Sequence, residues 1–263
     1  MRVGVFQFDP EFGQVEANVR RVVQRLRRVR ADLVVLPECF NTGYPFASAG
    51  EAAELAEEVP RGETTQRLLE LAREARMHLV AGLVERAGGR LYNTAVLVRP
   101  DGAVNVYRKT HLFADEKRWF TPGETGFRVF PLDGVRVGLM ICFDWIFPEA
   151  ARSLALRGAD ILCHPANLVL PYCPAAMVTR CLENGVFALT ANRIGTEERG
   201  GLPRYTFIGQ SQIVGPRGDI LARASEDREE LLLVDIDPAR ARDKAITPQN
   251  HLLEDRRPEA YAC

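Results

Sequence analysis

Among the side chains able to do covalent chemistry, Cys142 has the most suggestive setting. Residues 135–141 (VRVGLMI) read as a strand, the chain turns at Cys142-Phe143-Asp144, and a helix opens near Phe147-Pro148-Glu149. A thiol between a strand end and the mouth of a helix faces orphan N–H groups and the positive end of a dipole. That setting is expected to lower the thiol pKa and to supply backbone donors for an oxyanion. The commoner role of a cysteine is that of a small buried hydrophobe, the reading given to Cys39, Cys163, Cys173, Cys181 and Cys263. None of the six forms a C-x-x-C pair, so the usual zinc and dithiol spacings are absent.

A thiol nucleophile needs a base. Glu38 directly follows the apolar run 32–36 and Pro37, at the strand end where open α/β sheets hold ligands. A carboxylate there is expected to be half-buried, with its pKa raised toward the range useful for proton transfer; the plain alternative is a solvated loop acid. Of the four histidines, His111 follows a strand and is a conceivable partner for Cys142, whereas His78 reads as a surface or packing residue. Only three of the 34 basic residues are lysine: Lys109, Lys117 and Lys244. In a chain that writes its surface cations as arginine, a retained lysine hints at a compact, tunable amine. For Lys109 the plain alternative is a strand-edge charge, and for Glu116, beside Lys117 and Arg118, a surface ion pair.

The elements that must position these groups alternate along the chain. Strand patterns occupy 2–8, 32–36, 78–85, 91–98, 103–109, 126–132, 135–141, 160–163, 186–191, 205–214, 218–224 and 230–236. Helical spacing of apolar residues occurs at 16–30, 50–58, 63–76, 148–157 and 174–184. Gly88-Gly89, Pro100-Asp101-Gly102 and Asp133-Gly134 mark hairpins, and residues 110–125 read as a long loop with a short helix. Hairpins mixed with helical crossovers fit a layered α/β domain better than a doubly wound sheet.

Several classes are excluded. The net charge is −1, which argues against nucleic-acid binding through bulk electrostatics. No apolar run approaches a membrane span. The N-terminus lacks a signal-peptide layout, which points to free thiols in a cytoplasmic, reducing compartment. Neither a Walker pattern, nor a G-x-G-x-x-G after the first strand, nor an H-E-x-x-H is present.

Together these segments resemble the nitrilase superfamily of carbon–nitrogen hydrolases over nearly the whole chain. Gly4-Val5-Phe6-Gln7 is similar to its first strand. Leu36-Pro37-Glu38 is similar to the segment bearing the general base, Tyr107-Arg108-Lys109-Thr110-His111-Leu112 to that of the catalytic lysine, and Gly138 through Asp144 with Phe147-Pro148-Glu149 to that of the nucleophile. Glu116, ahead of Trp119-Phe120 and Pro122-Gly123, matches a second active-site glutamate. The resemblance implies a four-layer α-β-β-α sandwich, a hydrolase domain at 1–245, and a tail at 246–263 packing at a homodimer interface. It also implies catalysis by Glu38, Lys109 and Cys142, with Glu116 orienting the substrate or Lys109, and no metal or organic cofactor. His111, inside the lysine segment, is not the base in that scheme.

The C-x-D form at 142–144 resembles amidases and carbamoyl-amide hydrolases; nitrile-cleaving members more often carry C-W-E. The run I-C-F-D-W-x-F-P-E is also similar to compact microbial members, some described as nitrilases. The expectation is therefore an amidase on small aliphatic amides or ω-amides. A nitrilase or a carbamoyl-amine amidohydrolase is the alternative. The backbone N–H of Phe143, with Asn167, Tyr44, Phe113 and Trp145, is assigned by resemblance to substrate contact. A non-catalytic binding protein on the same scaffold is the competing class.

Overall fold

The computed structural model describes residues 1–261; Cys263 and the end of the expected tail lie outside the described residues. The chain runs β1 (Arg2–Gln7), α1 (Val15–Leu26), β2 (Leu33–Val35), α2 (Ala49–Leu55), α3 (Glu63–Ala75), β3 (His78–Ala87), β4 (Arg90–Val98) and β5 (Val104–Arg108). After α4 (Glu116–Trp119) come β6 (Val129–Leu132), β7 (Val135–Leu139), α5 (Pro148–Leu156), β8 (Ile161–Pro165), α6 (Cys173–Asn184) and β9 (Phe187–Ala191). The remainder holds β10 (Thr196–Glu197), β11 (Tyr205–Thr206), β12 (Gln212–Val214), β13 (Ile220–Arg223), β14 (Glu230–Asp235), β15 (Ala245–Thr247) and β16 (Asn250–His251).

Two six-stranded sheets result, ordered β14-β1-β2-β3-β4-β5 and β13-β12-β9-β8-β7-β6. The period of two along each strand sends alternate residues to opposite faces. Val3, Val5, Leu33, Val35, Val80, Ala95 and Leu97 thus pack between the sheets against Val137, Leu139, Ile161 and Leu189. Phe6, Val34, Leu79, Ala81 and Val96 face outward, onto Val19, Val22 and Leu26 of α1 and Leu68 and Ala72 of α3. Ala151, Leu154, Met177 and Cys181 of α5 and α6 cover the other sheet. The fold is a four-layer α-β-β-α sandwich.

Three elements depart from the sequence reading. The helix expected over 16–30 ends at Leu26. The expected strand 205–214 is cut in two: Gly209 and Gln210 both take positive φ, +58° and +53°, so β11 pairs with β10 while β12 joins the second sheet. The tail, which shows little periodicity, forms the β15–β16 hairpin. Among the described residues no helix is long and apolar enough to cross a membrane.

Candidate active site

The candidate residues converge where strands of both sheets end. Glu38 lies just past β2, in a turn bonded to β3 through Gly82 N to Pro37 O (3.1 Å) and Phe40 N to Gly82 O (3.1 Å). Gly82 has to be glycine, because a Cβ there would stand 2.4 Å from the Glu38 Cα. Lys109 follows β5 and is pinned by its N–H to the Asn93 carbonyl (2.8 Å) and by its carbonyl to Gly123 N (2.9 Å). Cys142 follows β7 with φ +39°, a conformation that costs a non-glycine residue on the order of 1–3 kcal/mol. The surrounding structure imposes it. Asp144, fully buried, accepts from Ile141 N (2.9 Å), Tyr107 OH (2.7 Å) and His111 N (3.2 Å).

Glu38, Lys109 and Glu116 are all buried. The Lys109 ammonium donates to Glu38 Oε1 (2.7 Å) and Glu116 Oε1 (2.9 Å). Asn93 Nδ2 donates to the same two oxygens, at 2.6 and 3.2 Å. Phe113 N holds Glu116 Oε2 at 2.9 Å. The second carboxylate oxygen, Glu38 Oε2, is buried and has no partner. A carboxylate otherwise bound by two donors therefore keeps one bare oxygen, which suits it to take a proton.

Burial works against the charge on Lys109, yet the Glu116 and Glu38 carboxylates hold its pKa well above the ordinary lysine value. Burial pushes Glu116 up to about 7, with Lys109 opposing and Glu38 adding to the rise. The thiol of Cys142 is raised, which corrects the expectation of a lowered pKa. Burial and the Glu38 carboxylate drive the rise; Lys109 and a hydrogen bond from the Asn167 backbone only oppose it. The dipole argument fails because a single 3-10 turn, Cys142–Ile146, follows the thiol and α5 begins only at Pro148. Glu38 is deeper than expected, 1% exposed rather than half-buried. Glu116 is a buried partner of Lys109 rather than a surface ion pair, and Lys109 is no strand-edge charge.

Phe113, Phe143, Trp145 and Asn167 line a pocket over Cys142, with Leu168, Val169 and Leu170 at its rim. It is narrow, with room for about one water molecule. Asn167 Nδ2 donates to the Glu38 carbonyl (2.9 Å), and its Oδ1 has no partner. Tyr44 does not line this pocket. It sits against Tyr205 and Phe207, and its phenol is pushed up by burial and by Glu116, Glu38 and Cys142.

The histidines do not serve Cys142 as a base. His111 Nδ1 lies 2.7 Å from Asp144 Oδ1 and its ring stacks on Phe147 at 3.8 Å. His78 is buried, with Nε2 2.7 Å from Asp133. Two residues of the site went unassigned from sequence: Asn93 and His164, whose Nε2 meets the Cys142 carbonyl at 2.9 Å. The signal for Asn93 was a polar Asn-Thr pair inside an otherwise apolar strand.

The family model for carbon-nitrogen hydrolase matches residues 2–245. This chain belongs to the carbon–nitrogen hydrolase family. A nitrilase of Pyrococcus abyssi is 47% identical over 264 residues, covering 99% of both chains. An (R)-stereoselective amidase of a Pseudomonas species is 34% identical, covering 98% of this chain and 92% of the relative. The crystal structure of a carbon–nitrogen hydrolase from Helicobacter pylori G27 superposes with a TM-score of 0.84 at 31% identity, covering 92% of this chain and 91% of that one. The chain is thus an enzyme of the carbon–nitrogen hydrolase kind on the four-layer sandwich.

Proposed function

We propose that this carbon–nitrogen hydrolase, in the cytoplasm, converts short, uncharged aliphatic amides to the carboxylic acid and ammonia through a thioester on Cys142. The observation that carries the reading is the bare Glu38 Oε2 beside a buried lysine and thiol. A thiol whose pKa is raised rests protonated and needs a base at the moment of attack. Glu38 takes that proton and the sulfur attacks the amide carbon. Lys109 and the Phe143 N–H hold the oxyanion. Collapse expels ammonia, protonated through Glu38, and water activated by the same carboxylate hydrolyses the thioester. Glu116 keeps Lys109 charged and aimed.

The pocket lining is aromatic and aliphatic with one amide side chain and no cation. A terminal carboxylate would lack a partner there, which favours neutral amides over ω-amides. Nitrile hydrolysis is the second reading, favoured by the 47% identical nitrilase. The same three residues would serve: sulfur adds to the nitrile carbon, and one water displaces ammonia before a second releases the acid. Ammonia release from matched amide and nitrile pairs, with Cys142→Ala beside the wild type, separates the two. Turnover of amides alone, lost in the variant, is expected. Turnover of nitriles moves the assignment to the second reading, and turnover retained in Cys142→Ala overturns both.

A homodimer through the second helical layer belongs to the same proposal. Leu156 of α5 and Leu182 of α6 are exposed, as are Ile146 and Tyr172 just ahead of those helices. Just ahead of the tail, Lys244 caps the end of α6 through the carbonyls of Asn184 (2.9 Å) and Gly185 (2.7 Å), and Leu252 of the tail lies beside the same Gly185, where an added Cβ would meet its side chain at 3.3 Å. A monomer in light scattering at micromolar concentration would contradict this arrangement.

A further inference from the structure

The bond from His164 to Cys142 lies on the peptide that carries the proposed oxyanion donor. In a planar trans peptide the C=O of one residue and the N–H of the next point in opposite directions. Fixing the Cys142 carbonyl therefore fixes where the Phe143 N–H points. That N–H is one of the orphans ahead of the first bond of the turn, Asp144 N to Ile141 O (3.0 Å), and it has no backbone acceptor among the described residues.

His164 is fully buried at the end of β8. Its Nε2 lies 2.9 Å from the Cys142 oxygen and its Nδ1 lies 3.2 Å from the Thr190 hydroxyl on β9. A carbonyl only accepts, so Nε2 carries the proton and Nδ1 accepts from Thr190. Burial favours the neutral ring, which is the form this arrangement uses. A hydrogen bond to the carbonyl end of a peptide also polarises its N–H and strengthens it as a donor.

We infer that His164, its tautomer set by the Cys142 carbonyl and its ring held by Thr190, is the positioning residue that aims the Phe143 N–H at the developing oxyanion. The inference rests on the proposed thioester reaction. It separates two jobs at one elbow: Cys142 supplies the nucleophile, and His164 acts on transition-state stabilisation alone.

The test compares His164→Leu, His164→Gln and Thr190→Val, each checked for folding by thermal melting. Two rates are read: kcat for the best amide or nitrile, and the rate at which methyl methanethiosulfonate labels Cys142, a sulfur transfer that forms no oxyanion. Losing one oxyanion donor outright costs roughly 10²–10³ in kcat, and misaiming one should cost about tenfold to hundredfold. His164→Leu is expected to lose that much kcat with KM and labelling held within threefold. His164→Gln, whose amide nitrogen can reach the same carbonyl, should recover most of the loss, and Thr190→Val should lose a smaller part. Equal falls in kcat and labelling would overturn the inference, because His164 would then be placing the thiol. Unchanged kcat in His164→Leu would also overturn it. If that variant does not fold, Thr190→Val decides by the same two rates. Cys142→Ala serves as the control: turnover retained there overturns the underlying reaction, a result distinct from any failure at His164.

Discussion

Among the described residues one lysine and one arginine are buried, Lys109 and Arg193, and their surroundings differ in how fully each is satisfied. Arg193 has five N–H groups and five acceptors: Asp9 Oδ1 (2.5 Å), Glu197 Oε1 (3.1 Å) and the carbonyls of Tyr44, Pro10 and Ile194, each at 3.2 Å. The ring of Phe207 lies 4.1 Å from its guanidinium carbon. Lys109 instead sits between two carboxylates, one of which keeps a bare oxygen. A fully satisfied buried cation fastens segments distant in sequence, here 9–10, 44 and 193–197. An incompletely satisfied cluster instead keeps a bare acceptor oxygen in place for chemistry.

The largest separation is expected from Glu38→Gln. Loss of the base should lower turnover by roughly 10²–10⁴, while the melting temperature stays at or above the wild-type value, because one of two carboxylates crowding one ammonium is gone. A variant that melts clearly lower would give Glu38 the fastening role assigned to Arg193. Arg193→Met should behave in reverse. Removing one partner of a buried ion pair costs about 3–5 kcal/mol, while kcat per folded molecule, counted by active-site labelling, changes less than tenfold. Loss of activity without loss of stability would erase the distinction.

Gly82→Ala probes the placement of Glu38 alone. It adds one methyl 2.4 Å from the Glu38 Cα and leaves every charge in place. Moving the base by up to about 1 Å should lower kcat about hundredfold, and steady-state kinetics of the variant check this. An unaltered kcat would mean that the position of Glu38 is not critical.

The smallest effect concerns pH. With Glu116 pushed up to about 7 in the folded protein, the native state binds more protons than the unfolded chain between the ordinary carboxylate range and pH 7. Stability from this group is therefore present at low pH and lost as pH rises from about 4.5 to about 7, by up to about 3 kcal/mol. Urea melts across that range should show Glu116→Gln gaining on the wild type as pH rises, then levelling off. A constant difference would contradict the shift.

The proposed reacting groups are more legible in the sequence than their supports. Glu38, Lys109 and Cys142 each follow a strand that an apolar run (33–36, 137–141) or an alternation (104–107) makes visible. Asn93 and His164 lie within strands, and their roles depend on partners 55 and 22 residues away. Arg193 reads as one arginine among many until Asp9, 184 positions earlier, is beside it. The thiol pKa departs from the sequence expectation for a related reason. Local sequence shows the orphan N–H groups but not the depth of burial or the Glu38 carboxylate, and these two prevail. The break at Gly209-Gln210 was hidden because a left-handed pair of residues carries no hydrophobic signature.

Passage of the reaction through a thioester on Cys142 is open to hydroxylamine partitioning. Hydroxylamine added to a turning-over amide should divert acid to hydroxamate in proportion to its concentration, with ammonia release still present in the wild type and both products absent in Cys142→Ala. Acid formed without any hydroxamate at saturating hydroxylamine, or turnover surviving in Cys142→Ala, would rule out the Cys142 thioester.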